Sequence, residues 1–118
     1  MRINKELSMN TTVTSRHFKA HSTLIDYAKD AVEKLERYYD GIIKCEVKLS
    51  FEKASNSVKR AEIILSVYKN KIAAIHESEE FHKSIDGAVD KVLARLKKYK
   101  DKLHAKDRKQ VREVRSKI

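Results

Sequence analysis

The stretch IKCEVKLSFE at residues 43–52 sets Ile43, Cys45, Val47, Leu49 and Phe51 on one side of an extended chain and Lys44, Glu46, Lys48, Ser50 and Glu52 on the other. A helical period would scatter these residues around a cylinder, so the alternation predicts a half-buried strand. Beyond it, the polar segment KASNS at residues 53–57 reads as a turn. Ala61, Ile63, Leu65 and Val67 then repeat the alternation, Lys69-Asn70-Lys71 suits a tight hairpin, and residues 72–78 give another strand. These three strands form a meander.

On the N-terminal side, Leu24, Ile25, Ala28, Ala31, Val32, Leu35 and Tyr39 recur at helical spacing after Ser22, and Asp40-Gly41 supplies a stop. The outer face of this helix sets Asp30 before Lys34 and Glu33 before Arg37 at i,i+4, a spacing that stabilises a solvated helix. Further back, NTTVTSR at residues 10–16 is rich in β-branched residues and reads as a short strand. At the other end, Phe81, Ile85, Val89, Val92, Leu96, Tyr99 and Leu103 form one apolar stripe on a last helix that starts near Glu80. The order is β-α-β-β-β-α, an α+β fold with a four-stranded mixed sheet. Both helices pack on the face carrying Ile43, Val47 and Ile63, because each element has one apolar side. The first helix makes a right-handed crossover between parallel strands.

The chain has 118 residues, enough for one core, and 37% of them are charged. Its formal net charge is +10. Residues 1–80 hold 14 basic and 12 acidic side chains, whereas residues 81–118 hold 13 and 5, so the positive field belongs to the C-terminal third. Such an excess favours a polyanionic partner, nucleic acid before membrane surface. A single cysteine forms no internal disulfide, and no stretch is apolar enough for a secretory signal or a membrane span, which fits a cytoplasmic protein.

At about 100° per residue, Lys91, Arg95, Lys98 and Lys102 fall within a narrow arc of the last helix, about a quarter turn from the apolar stripe. No acid interrupts the arc; Asp86, Asp90 and Asp101 lie elsewhere, within reach of Lys83 and Lys97. The arc reads as a phosphate-binding ridge that recognises backbone and shape rather than base edges. Lys29, Lys34 and Arg37 of the first helix are the reserve candidates. The five histidines lack metal-ligand spacing, Cys45 alternates inward as a core residue, and Tyr38 and Tyr39 read as core and rim aromatics. No constellation of nucleophile and base is present, so neither an enzyme nor a cofactor is expected. Gly87 inside the last helix suits close packing against a partner that the sequence does not identify.

The segment EFHKSIDGAVDKVLARLKKYKDKL at residues 80–103 resembles the signature of the ribosome hibernation promoting factor and ribosome-associated inhibitor family, also known as the sigma-54 modulation protein family. VEKLERYYDGI at residues 32–42 resembles that family's first-helix ending, and MNTTVTSRHF from Met9 its usual start. The resemblance implies a fold similar to double-stranded-RNA-binding domains and no enzymatic activity. It implies a factor that binds the rRNA of the small ribosomal subunit in the mRNA and tRNA channel and inhibits translation under stress or in stationary phase. Its basic last-helix positions map onto Lys91, Lys98, Lys100 and Lys102. Two departures stand out: His82 replaces a frequent Tyr, and Ala94-Arg95 replaces a common Arg-Gln, turning the arginine by about 100° around the axis.

On this reading residues 1–8 are a flexible extension, residues 9–103 the ribosome-binding domain and residues 104–118 a basic tail, either an extension of the helix or a segment that orders on RNA. The free chain is expected to be monomeric, with whole ribosomes or ribosome dimers as further partners and neither a membrane nor a small-molecule substrate among them. A general double-stranded-RNA binder or RNA chaperone would use the same ridge, and a protein-interaction module would carry its charge incidentally.

Overall fold

Alternating burial requires a sheet with one covered face, and the computed structural model has that form. It describes residues 9–51 and 58–117, with side chains up to His104. The elements are β1 (Asn10–Ser15), α1 (Ser22–Tyr38), β2 (Lys44–Phe51), β3 (Lys59–Val67), β4 (Asn70–Ser78) and α2 (Phe81–Lys117). The sheet order is β1-β2-β3-β4, with β1 parallel to β2 and the other two pairs antiparallel. Val13, Val47, Ile63 and Ala74 lie in register across all four strands. This is the expected α+β arrangement of β-α-β-β-β-α. The expected N-terminal extension and the KASNS turn lie outside the described residues.

The core forms where the inward rows meet the helices. Cys45, Val47 and Leu49 of β2 and Ala61, Ile63 and Leu65 of β3 are buried against Ala28, Val32 and Leu35 of α1 and Ile85, Val89, Val92 and Leu96 of α2. Phe18, from the β1–α1 loop, stacks on Phe81 at 5.0 Å and tilts against Phe51 at 5.4 Å, closing one end of this layer. Ser84 is the buried polar exception among the described residues. Its hydroxyl donates to the Lys59 carbonyl at 2.7 Å and shares a 2.7 Å hydrogen bond with Ser78 Oγ, so the start of α2 is pinned to both β3 and β4.

Four local expectations differ. Ile43 is 61% exposed and Ile42 is buried in its place, because β2 begins only at Lys44 and the alternation does not extend back across the loop. The hairpin turns at Tyr68-Lys69, one residue earlier than the Lys69-Asn70-Lys71 cluster suggests; Val67 pairs with Asn70, and Lys69 takes the left-handed φ of 59°. Helix α1 ends by swinging into an extended Tyr39 (φ −145°, ψ 116°) rather than through a left-handed Gly41. At its start His21 occupies the cap position without a side-chain bond, and Ser22 is already helical.

Gly87 has a definite partner: a Cβ there would run into the His76 imidazole of β4, so the absence of a side chain lets α2 settle against the sheet. Replacing Gly87 by Ala improves helix propensity by about 1 kcal/mol, but the clash reverses the sign. A net loss of about 1–3 kcal/mol is expected in chemical denaturation, and adding His76→Ala should restore much of it. If Gly87→Ala raises the melting temperature, the packing described here is wrong.

Burial pushes the Cys45 thiol from its ordinary 9.0 up to about 12, with the neighbouring Glu46 charge adding to the effect. The folded chain therefore holds this proton more tightly than the unfolded chain. The stability tied to it is full below about pH 9 and is lost as pH rises toward 12. Thiol reagents should modify Cys45 only at the rate of unfolding, and Cys45→Ala should flatten the alkaline loss of stability; rapid labelling of the native protein would contradict this placement.

Candidate nucleic-acid interface

Helix α2 runs back along β4, one of the two edge strands, and this places the basic arc. Lys91 Nζ donates to the Ile75 carbonyl at 3.0 Å, and the Arg95 guanidinium donates to the Ala73 carbonyl. Both acceptors belong to the outer side of β4, which no further strand pairs. The two cations thus satisfy backbone groups that an open edge leaves bare. A hydrogen bond to a neutral carbonyl leaves the positive charge in place, and each cation retains further donors. Lys98 and Lys102, farther along the arc, are exposed and make no side-chain hydrogen bond or ion pair among the described residues.

Lys100 belongs elsewhere. Half a turn from the ridge, its Nζ donates to the Tyr38 carbonyl at 3.2 Å and lies 4.5 Å from the Tyr38 ring centroid. Lys97 also approaches that ring, at 6.0 Å. Tyr38 therefore serves as an apolar seat for cations that join the end of α1 to α2. The resemblance groups Lys100 with Lys91, Lys98 and Lys102, but the structure separates it from them.

Lys29, Lys34 and Arg37 are exposed, yet they spread over about 140° of α1 instead of forming an arc. Lys34 lies in the groove between the helices with Tyr27, Asp30 and Asp86. The Asp30–Lys34 and Glu33–Arg37 pairings are not formed, since Lys44–Glu46 at 3.5 Å is the ion pair found among the described residues. Asp86 likewise pairs with neither Lys83 nor Lys97. It accepts the Tyr27 hydroxyl at 2.8 Å on both oxygens, and this hydrogen bond, with burial and the Asp86 charge, raises the Tyr27 phenol above its usual range.

The hairpin tip joins the ridge and escaped the sequence reading. Tyr99 donates its hydroxyl to the Tyr68 carbonyl at 3.4 Å, so the turn sits beside α2 where Lys98 and Lys102 project. Tyr68 is 71% exposed, with Lys69 Nζ 5.4 Å from its ring centroid. The signal was present in the Lys69 and Lys71 pair, but only the docking of the hairpin on α2 brings it to the ridge.

Other chemistry finds no assembly. His76 packs on Gly87, and His82 meets the Tyr27 ring edge-on at 4.4 Å. Among the described residues no three His, Cys, Asp or Glu side chains gather as metal ligands, and no helix is long and apolar enough to cross a membrane.

Residues 11–104 match the family model described as Sigma 54 modulation protein / S30EA ribosomal protein. The chain belongs to this family. It is 30% identical over 95 residues to the ribosome hibernation promoting factor of Escherichia coli K12, covering 80% of this chain and 97% of that one. The corresponding factor of Pseudomonas putida KT2440 is 28% identical over 94 residues, covering 80% and 89%. Among solved structures, a ribosomal subunit interface protein from Coxiella burnetii superposes with a TM-score of 0.72 at 19% identity, covering 79% of this chain and 99% of that one. The N-terminal domain of Protein Y from Thermus thermophilus gives 0.66 at 24% identity, covering 78% and 98%. The family is one of ribosome-associated hibernation factors, and the two structures share its fold.

The contrast between bonded and free cations gives a measurable difference. Lys100→Ala removes a carbonyl bond and a cation–π contact and should cost about 1 kcal/mol in urea unfolding. Lys98→Ala should stay within about 0.5 kcal/mol of the parent. Equal effects would show that Lys100 is as solvated as Lys98.

Proposed function

We propose that this protein is a ribosome hibernation factor that binds rRNA of the small ribosomal subunit in the mRNA and tRNA channel, excludes both ligands and inhibits translation under stress or in stationary phase. The observation that carries the reading is the ridge of Lys91, Arg95, Lys98 and Lys102 along one flank of α2, whose charge no acid among the described residues neutralises. Its long, one-sided field suits a line of phosphates. The exposed Tyr68 beside Lys69 adds a ring on which an unpaired base can stack. Membership in the family and the names of the relatives point to the ribosome as the place where this surface is used. The protein acts by occupancy, without cofactor or catalysis, in the cytoplasm.

Lys98 and Lys102 are the positions to alter first, because they bear no structural bond among the described residues, whereas Lys91 and Arg95 also hold the β4 edge. Density-gradient sedimentation with purified ribosomes should show the parent protein travelling with small subunits and lowering translation in a reconstituted system. Lys98→Ala with Lys102→Ala should weaken this binding and reduce the slope of log affinity against log salt by about 2. Replacing all four ridge residues should reduce it by about 3. Equal affinity for isolated duplex RNA and for subunits would make the protein a general RNA binder. Binding indifferent to salt would point to a protein partner.

A further inference from the structure

The sheet face opposite the helices also carries an unneutralised cluster. Lys48 of β2 stands opposite Glu62 of β3, and Ser50 opposite Arg60, so Lys48 and Arg60 are diagonal neighbours about 7–8 Å apart. Thr14 lies beside Lys48 on β1. Arg16 follows the end of β1 at Ser15, tied by its backbone N–H to the Leu49 carbonyl at 2.9 Å. His17 then takes a left-handed φ of 70°, and Phe18 turns to the helix side of the sheet, which leaves Arg16 at the rim. Thr14, Arg16, Lys48, Ser50, Arg60 and Glu62 line a shallow concavity of about 430 Å³.

Three cations stand there against two carboxylates, Glu62 inside the concavity and Glu77 of β4 opposite Arg60 at its margin. Cross-strand pairing would be the ordinary use of Lys48 and Glu62, but among the described residues neither makes an ion pair within 4.0 Å, while Lys44 on the same face is paired with Glu46. Arg16 and Arg60 also have no side-chain hydrogen bond or ion pair among the described residues.

We infer that this corner of the open sheet face is a second phosphate site, which takes the backbone of an RNA segment distinct from the segment on the α2 ridge. The inference rests on the proposed reading that the partner is RNA. The cations are spread over two strands and a loop instead of converging on one buried point, which suits a chain of phosphates better than a single small anion. The corner opens on the sheet face that the helices leave bare, whereas the ridge lines the flank of α2 at the β4 edge, so the two groups present different surfaces to RNA.

The test compares binding of the whole protein to purified small ribosomal subunits over a range of salt. Arg16→Ala, Lys48→Ala and Arg60→Ala combined should weaken binding about tenfold or more and lower the salt slope by about 2. Glu62→Gln, which removes the acid that lines the concavity, should tighten binding by about two- to fivefold at low salt, an effect that misfolding would not mimic. The inference is overturned if the triple variant binds as the parent does, if it binds more weakly with an unchanged slope, or if Glu62→Gln leaves affinity unchanged. Failure of the parent protein to bind subunits would instead remove the proposed function itself. A ridge variant that loses affinity while the corner variant keeps it would remove the corner alone.

Discussion

The apolar side chains of β2 leave the backbone toward one face only, and this one-sidedness constrains everything else. Cys45, Val47 and Leu49 must be covered, and α1 and α2 are the two elements with matching stripes. Covering one face leaves the other to water, where Lys44, Glu46 and Lys48 stand. It also fixes α2 beside β4, since β1 is already linked to β2 through α1. The location of the basic ridge follows from how a hydrophobic layer is closed.

The parts legible in the sequence are those that repeat. Period-two burial in β2 and β3 and the 3.6-residue stripe of α2 could be read because each residue's neighbours confirm its phase. The arc of Lys91, Arg95, Lys98 and Lys102 was legible for the same reason. Ile43 was misread because it lies where one period stops and no neighbour fixes the phase. The hairpin was displaced by one residue because Lys69 adopts a left-handed conformation more typical of Asn or Gly. Lys100 entered by resemblance, although its angle on the helix already set it apart.

What remained hidden depends on contacts distant in sequence. No local pattern tells that Gly87 faces His76, that Lys91 reaches Ile75, or that Tyr68 docks by Tyr99. The corner at Arg16, Lys48 and Arg60 is a product of register: its members come from a loop and two strands, and each alone looks like an ordinary solvated charge.

The bonds from Lys91 and Arg95 to the β4 edge have a consequence for solubility. A bare edge strand is a template on which another copy of a chain can add a strand of its own, and positive side chains laid across it are a deterrent. The same two residues stand on the ridge. On the proposed reading, a substitution there that weakens RNA contact also uncovers β4, so one pair of side chains serves recognition and keeps copies of the chain apart.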